Sequence, residues 1–174
     1  MAKQKLQLQD QVLVNSRLKG CDLQRSTLDG VDLSGTKFTD TTLNNSKFVA
    51  SSLDGVTFTD VAVEFTRWSD CAFLSAGFEN TSFEDVFFED VSLAGIDVQN
   101  ANVSDSTWDD VNSSGSTLNN VNLSGVKITD ADINGLTIEG IDISELFAWA
   151  KAHGFRPSAR PAPKPKARAT KQRR

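Results

Sequence analysis

Carboxylates are where this sequence concentrates its chemistry. Between Asp60 and Asp110 it places twelve Asp and Glu residues against a single cation, Arg67. Acids crowded in this way hold a divalent cation, form an acid–base pair, or present negative charge to a basic partner. The first use goes with the Gly-Gly-x-Gly-x-Asp repeat of calcium-binding β-rolls, which is absent. The second needs a cleft that raises one pKa of a pair such as Asp109 and Asp110, and no part of the sequence predicts one. The third use requires only that the acids share a surface.

Other catalytic groups are scarce. His153 is the sole histidine, tyrosine is absent, and no glycine-rich phosphate loop opens a helix. The serines lack a histidine base. Cys21 and Cys71 are too few and too far apart for a disulfide framework or a metal clip, and read as reduced, buried thiols. We therefore expect a non-enzymatic chain with no catalytic residue, cofactor or metal. With no apolar run long enough to span a bilayer and no signal-peptide pattern at MAKQKLQLQ, the expected setting is cytoplasmic.

The charge is divided along the chain. From Lys151 onward there are nine basic residues and no acidic one, so residues 1–150 hold the other nine cations and all 23 acids, a net of 9 − 23 = −14. All four prolines, at positions 157, 161, 163 and 165, also fall in the basic stretch. Residues 155–174 read as a disordered, Pro-rich basic tail. Such a tail solvates the protein, or binds nucleic acid, another anionic surface, or the acidic body itself.

The body must hold its acids in place, and its pattern says how. Counting in fives from Leu8 to Ile143, the third residue is apolar at every step except Ser113. A helix would spread this pattern around all its faces, since five residues advance about 140° beyond a full turn. A flat strand would alternate faces, because five is odd. A short extended piece followed by a corner satisfies it. The fifth residue is Gly, Asp or Asn except at Arg25, Ala50, Phe65, Ser75 and Glu145, and these three types tolerate left-handed backbone. The first residue is usually small or β-branched, as at Ser26, Val31, Thr36, Ala101 and Val121, which a narrow interior requires.

On these residues the chain resembles the pentapeptide repeat family, whose pattern is roughly A(D/N)LXX. The resemblance implies an all-β fold, a right-handed quadrilateral parallel β-helix of about seven coils with four pentapeptides each. The expected division is a β-helix over 1–143, a capping helix over 144–154 and the tail over 155–174. Some members of the family act as DNA mimics on type II topoisomerases such as gyrase, and some dimerise through a C-terminal helix. The resemblance therefore makes a topoisomerase a candidate partner and a homodimer a candidate assembly.

Columns twenty apart support the four-sided coil. Asn15, Gly35, Gly55, Gly95, Gly115 and Gly135 share one corner, and Asn80, Asn100 and Asn120 share another. In that register Asp70, Asp90, Asp110 and Asp130 line one edge with Glu89 and Asp109 beside it. Phe65 and Phe87 point outward near Arg67. These eight residues are the expected partner-binding surface, and an acidic face that only keeps a repetitive rod soluble and unpaired is the plain alternative. Ser113 is expected to make room for the ring of Trp108.

At the C-terminal end Ser144 is the expected N-cap of ELFAWAKAH, with Gly154 closing the helix. Leu146, Phe147 and Trp149 give it an apolar side that either plugs the last coil or forms a dimer. At the other end Val12 and Val14, with Leu6, expect cover from the first residues. The reading as a whole is a rod-shaped interaction scaffold with an acidic protein-binding face. DNA mimicry, or tethering to nucleic acid through the tail, are its alternatives.

Overall fold

The computed structural model describes residues 7–155. The chain winds as a parallel solenoid. Its odd-numbered strands are β1 (Gln7–Gln9), β3 (Thr27–Asp29), β5 (Lys47–Val49), β7 (Arg67–Ser69), β9 (Phe87–Ser92), β11 (Thr107–Asn112) and β13 (Lys127–Thr129). In that order they form the first sheet. On the opposite side, β2 (Arg17–Lys19), β4 (Lys37–Thr39), β6 (Thr57–Thr59), β8 (Gly77–Glu79), β10 (Asp97–Asn102), β12 (Thr117–Asn122), β14 (Thr137–Ile138) and β15 (Ile141–Asp142) form the second. Bridges such as Val12 to Asp32 and Asp22 to Thr42 ladder the two remaining sides, so a coil has four sides.

Every parallel pair is in a register of twenty, as in Phe48 against Trp68 and Trp108 against Ile128. The expected column arithmetic is the pairing the backbone adopts. The corners are left-handed. Asp10, Asn45 and Asp90 have φ of 50°, 62° and 54°, and the same conformation is imposed on Arg25, Ala50, Phe65 and Ser75, which lack the usual tolerance for it. The repeat ends before Glu145, which lies in the helix.

Inside, third-position side chains stack in ladders. Phe48 and Trp68 lie face to face with centroids 3.7 Å apart, and Phe38, Phe58 and Phe78 form a second stack. First-position hydroxyls are buried but bonded across coils: Thr36 donates to the Leu13 carbonyl at 2.8 Å, Ser46 to Leu23 at 2.9 Å and Ser116 to Leu93 at 2.6 Å. This is how Ser and Thr replace Ala at those positions without leaving unsatisfied groups; Ser26 is the exception, its buried hydroxyl having no protein partner. Ser113 is fully buried, and neither its hydroxyl nor the indole nitrogen of nearly buried Trp108 has a protein partner. Cys71 is buried and Cys21 half-buried; both are free thiols. Loss of hydration pushes the Cys71 thiol up to about 11, which keeps it protonated and unreactive.

The C-terminal end departs from expectation. The helix α1 runs Ile143–Ala152, and its N-cap is Asp142 rather than Ser144. The Asp142 carboxylate accepts from the Glu145 amide at 3.0 Å and from the Ser144 hydroxyl at 2.6 Å. An ionised carboxylate is the better acceptor for a helix start, and these bonds hold Asp142 below the usual carboxylate range. Gly154, at φ 73°, closes the other end, where the Phe155 amide returns to the Ala150 carbonyl. No residue of α1 is buried, so the helix does not plug the last coil. The antiparallel pair β14–β15 ends the second sheet and β13 ends the first, and of α1 only its first residue, Ile143, packs against the core. Residues 1–6 and 156–174, and with them the expected N-terminal cover and nearly all of the tail, lie outside the described residues.

Candidate functional site

The first sheet's outer side is built from the middle strands upward. In β7, β9 and β11 the residues flanking the buried Trp68, Phe88 and Trp108 must point outward, which projects Arg67, Ser69, Phe87, Glu89, Thr107 and Asp109 from one surface. Glu89 stands between Ser69 and Asp109 in adjacent strands. Strands β9 and β11 continue around the following corner, carrying Asp90 and Asp110 in line with Asp70 and Asp130. All four corner aspartates are left-handed and exposed. At a coil rise of ~4.8 Å, they form a row about 14 Å long.

These groups feel one another. Asp90 binds its proton more tightly than an ordinary aspartate, first through lost hydration and then through its neighbours Asp110, Asp70 and Glu89. Part of the charge is offset locally. Arg67 bonds Glu89 and lays its guanidinium 4.5 Å from the centroid of the Phe87 ring, and Asp109 accepts from the Thr129 hydroxyl at 2.5 Å. Phe65 sits one corner before this strand surface, 57% exposed with φ 56°. Leu74, also exposed, belongs to the next side.

The structure thus brings Asp70, Glu89, Asp90, Asp109, Asp110, Asp130 and Phe87 together, with Phe65 at the opposite border of the same side. Two features were missed. Asp85 and Asp105 follow Phe65 in its own corner column, so acids border this side on both edges. Asp132, bridged to Asn112, joins Asp90, Asp110 and Asp130 around an open depression of about 400 Å³. Both follow from the register of twenty, which places Asp85 and Asp105 after Phe65 and Asp132 after Asn112. No group of three or more His, Cys, Asp or Glu among the described residues is arranged to hold a metal.

At the C-terminal end, Leu146, Phe147, Trp149, Ala150, Lys151 and Phe155 surround an apolar hollow of about 560 Å³. Phe147, Trp149 and Phe155 are 61%, 60% and 66% exposed. The His153 ring stacks on Trp149, with Nδ1 2.8 Å from the Trp149 carbonyl oxygen. The dimer candidates Leu146, Phe147 and Trp149 therefore share one uncovered surface.

A solenoid of about seven four-sided turns with corner residues every five defines the class of pentapeptide β-helix proteins. Family comparison agrees: residues 61–143 match the pentapeptide repeat region, and residues 7–40 and 16–55 match pentapeptide repeats of eight copies. The chain belongs to the pentapeptide repeat family. No curated protein matches it. Among solved structures it is similar to full-length QnrB1, a plasmid-mediated fluoroquinolone resistance protein, at 13% identity and TM-score 0.41, over 85% of this chain and 99% of that one. A thylakoid lumen pentapeptide repeat protein of Arabidopsis thaliana is similar at 20% identity and TM-score 0.33, over 82% and 76%. HetL of Nostoc sp. strain PCC 7120, involved in heterocyst differentiation regulation, is similar at 14% and 0.23, over 78% and 92%. No helix among the described residues is long and apolar enough to cross a membrane.

Proposed function

We propose that the protein is a non-enzymatic scaffold that docks a basic partner surface on the acidic side of its first sheet. One observation carries the reading: Asp70, Asp90, Asp110 and Asp130 stand in line on exposed, left-handed corners one coil apart. Four aspartates in line repel one another, and Gly or Asn would occupy the same corners without that cost. A basic surface laid across the row relieves the repulsion, and exposed Phe65 supplies an apolar anchor at the opposite border of the same side. The test captures partners on the intact protein and on a form with Asp70, Glu89, Asp90, Asp109, Asp110 and Asp130 changed to amides. Proteins retained equally by both forms would overturn the proposal.

A narrower form of this reading is DNA mimicry. What favours it is linear spacing, with corner carboxylates repeated once per coil as phosphates repeat along a strand. A gyrase supercoiling assay at low salt tests it, and no inhibition at micromolar protein removes gyrase as the partner. We also infer a homodimer through α1, supported by a helix with no buried residue and an apolar hollow at its side. Sedimentation of the intact protein should give a dimer, and Phe147→Glu with Trp149→Glu a monomer.

A further inference from the structure

The side proposed above as a docking surface is complementary to another part of the same chain. Residues 156–174 carry eight cations, Arg156, Arg160, Lys164, Lys166, Arg168, Lys171, Arg173 and Arg174, and no acid. The same stretch holds all four prolines of the protein. Pro-rich segments bind surfaces where an aromatic ring lies beside acids, the ring taking the proline and the acids the flanking cations. The first sheet's outer side has both, with exposed Phe65 on one border, the Asp70–Asp130 row on the other, and Phe87 between them with one ring face under Arg67. We propose that residues 156–174 dock in cis on this side and compete with any basic partner for it.

Reach and charge favour this occupant. The chain leaves the described residues at Phe155, after the C-terminal coil, and the acidic row ends at Asp130 in the same coil. Nineteen residues span up to ~60 Å, against ~14 Å for the row. A tether of this length holds the tail near its own carboxylates at an effective concentration on the order of millimolar. Nucleic acid is the less favoured occupant of the tail, because the net charge of −14 on residues 1–150 repels it. The inference rests on the docking reading, since it names what covers that side when no partner does.

The test is zero-length carbodiimide cross-linking of the full chain, with adducts mapped by mass spectrometry. Support is adducts from Lys164, Lys166 and Lys171 to the Asp70–Asp130 row, Glu89 or Asp109, within one molecule. Their yield stays constant on about 100-fold dilution and falls at ~0.5 M salt. In parallel, a synthetic peptide of residues 156–174 should bind a full chain whose eight tail cations are glutamine about ten-fold more tightly than the parent, because no tethered tail competes. Adducts only between molecules overturn the inference. So do adducts spread equally to Glu79 and Asp97 on the second sheet, no adducts at all, or equal peptide affinity for both chains. Binding of a short DNA duplex through the tail, without intramolecular adducts, also overturns it. A partner lost with the six carboxylates in the absence of tail adducts removes this inference alone; tail adducts with partner capture unchanged remove the docking reading alone.

Discussion

Arg67 is bound to Phe87 and to Glu89 at once, with its guanidinium 4.5 Å from the ring centroid and its amine on the carboxylate. The single cation among the twelve acids of this stretch is therefore held in place. Removing it leaves Glu89 beside Asp109 and Asp90 with no opposing charge. Arg67→Gln should destabilise the fold by about 0.5–1 kcal/mol at low salt, because both contacts are surface-exposed. Urea unfolding at two salt concentrations checks this, and the loss should shrink as salt rises.

Asp90 predicts a pH effect of known sign. Its folded pKa lies above the ordinary aspartate value of 3.8, so the folded state binds more protons than the unfolded state between those two values. Stability from this group is fully present below the unfolded pKa and is lost as pH rises through the folded one. Asp90→Asn should raise the melting temperature at neutral pH, and the gain over the parent should vanish below about pH 3.8. A gain that persists unchanged into acid would mean that the effect is not electrostatic.

Phe65 has left-handed backbone at φ 56° in a column where Asn45 has 62° and Asp85 has 56°. Asparagine tolerates this conformation, and Asn120 donates to Asn100 one coil away at a comparable corner. Phe65→Asn should stabilise the fold by about 0.5–1 kcal/mol in chemical denaturation. The same variant should capture less partner. Lower stability together with unchanged capture would show that the ring packs and does not dock.

Ser113 is fully buried beside a core already filled by large side chains. Ser113→Leu should lose about 1–3 kcal/mol through overpacking of the core. Ser113→Ala removes a hydroxyl with no protein partner and should be neutral or slightly stabilising. Thermal melts of the two variants separate volume from polarity, and a Leu form more stable than the parent would contradict the space-making role.

Much of this architecture could be read from residues alone because each coil repeats one local rule. An apolar third residue, a small first and a corner-tolerant fifth dictate a turn every five residues, and stacking then follows by arithmetic. That is why Asp70, Asp90, Asp110 and Asp130 could be aligned before any coordinates. Asp85 and Asp105 obey the same arithmetic, but their column is broken by Phe65 and Gly125, so it lacks the unbroken run of acids that marks the Asp70–Asp130 edge.

The ends obey no repeat, and there tertiary structure decided. Ser144 and Asp142 are both good caps by type, and the choice fell to Asp142 because its carboxylate accepts from the Glu145 amide while the Ser144 hydroxyl donates to that same carboxylate. Likewise an apolar helix side is compatible with plugging the coil or standing clear of it. The β14–β15 hairpin settled this by occupying the end of the second sheet, leaving Phe147 and Trp149 exposed. The period, the register of twenty and hence the acidic row follow from residue order alone, because local backbone preference repeated through neighbouring strands leaves one solution. Only the folded chain decided how the last coil is closed and that Arg67 bonds Phe87 and Glu89 together, because those depend on where side chains from different coils meet.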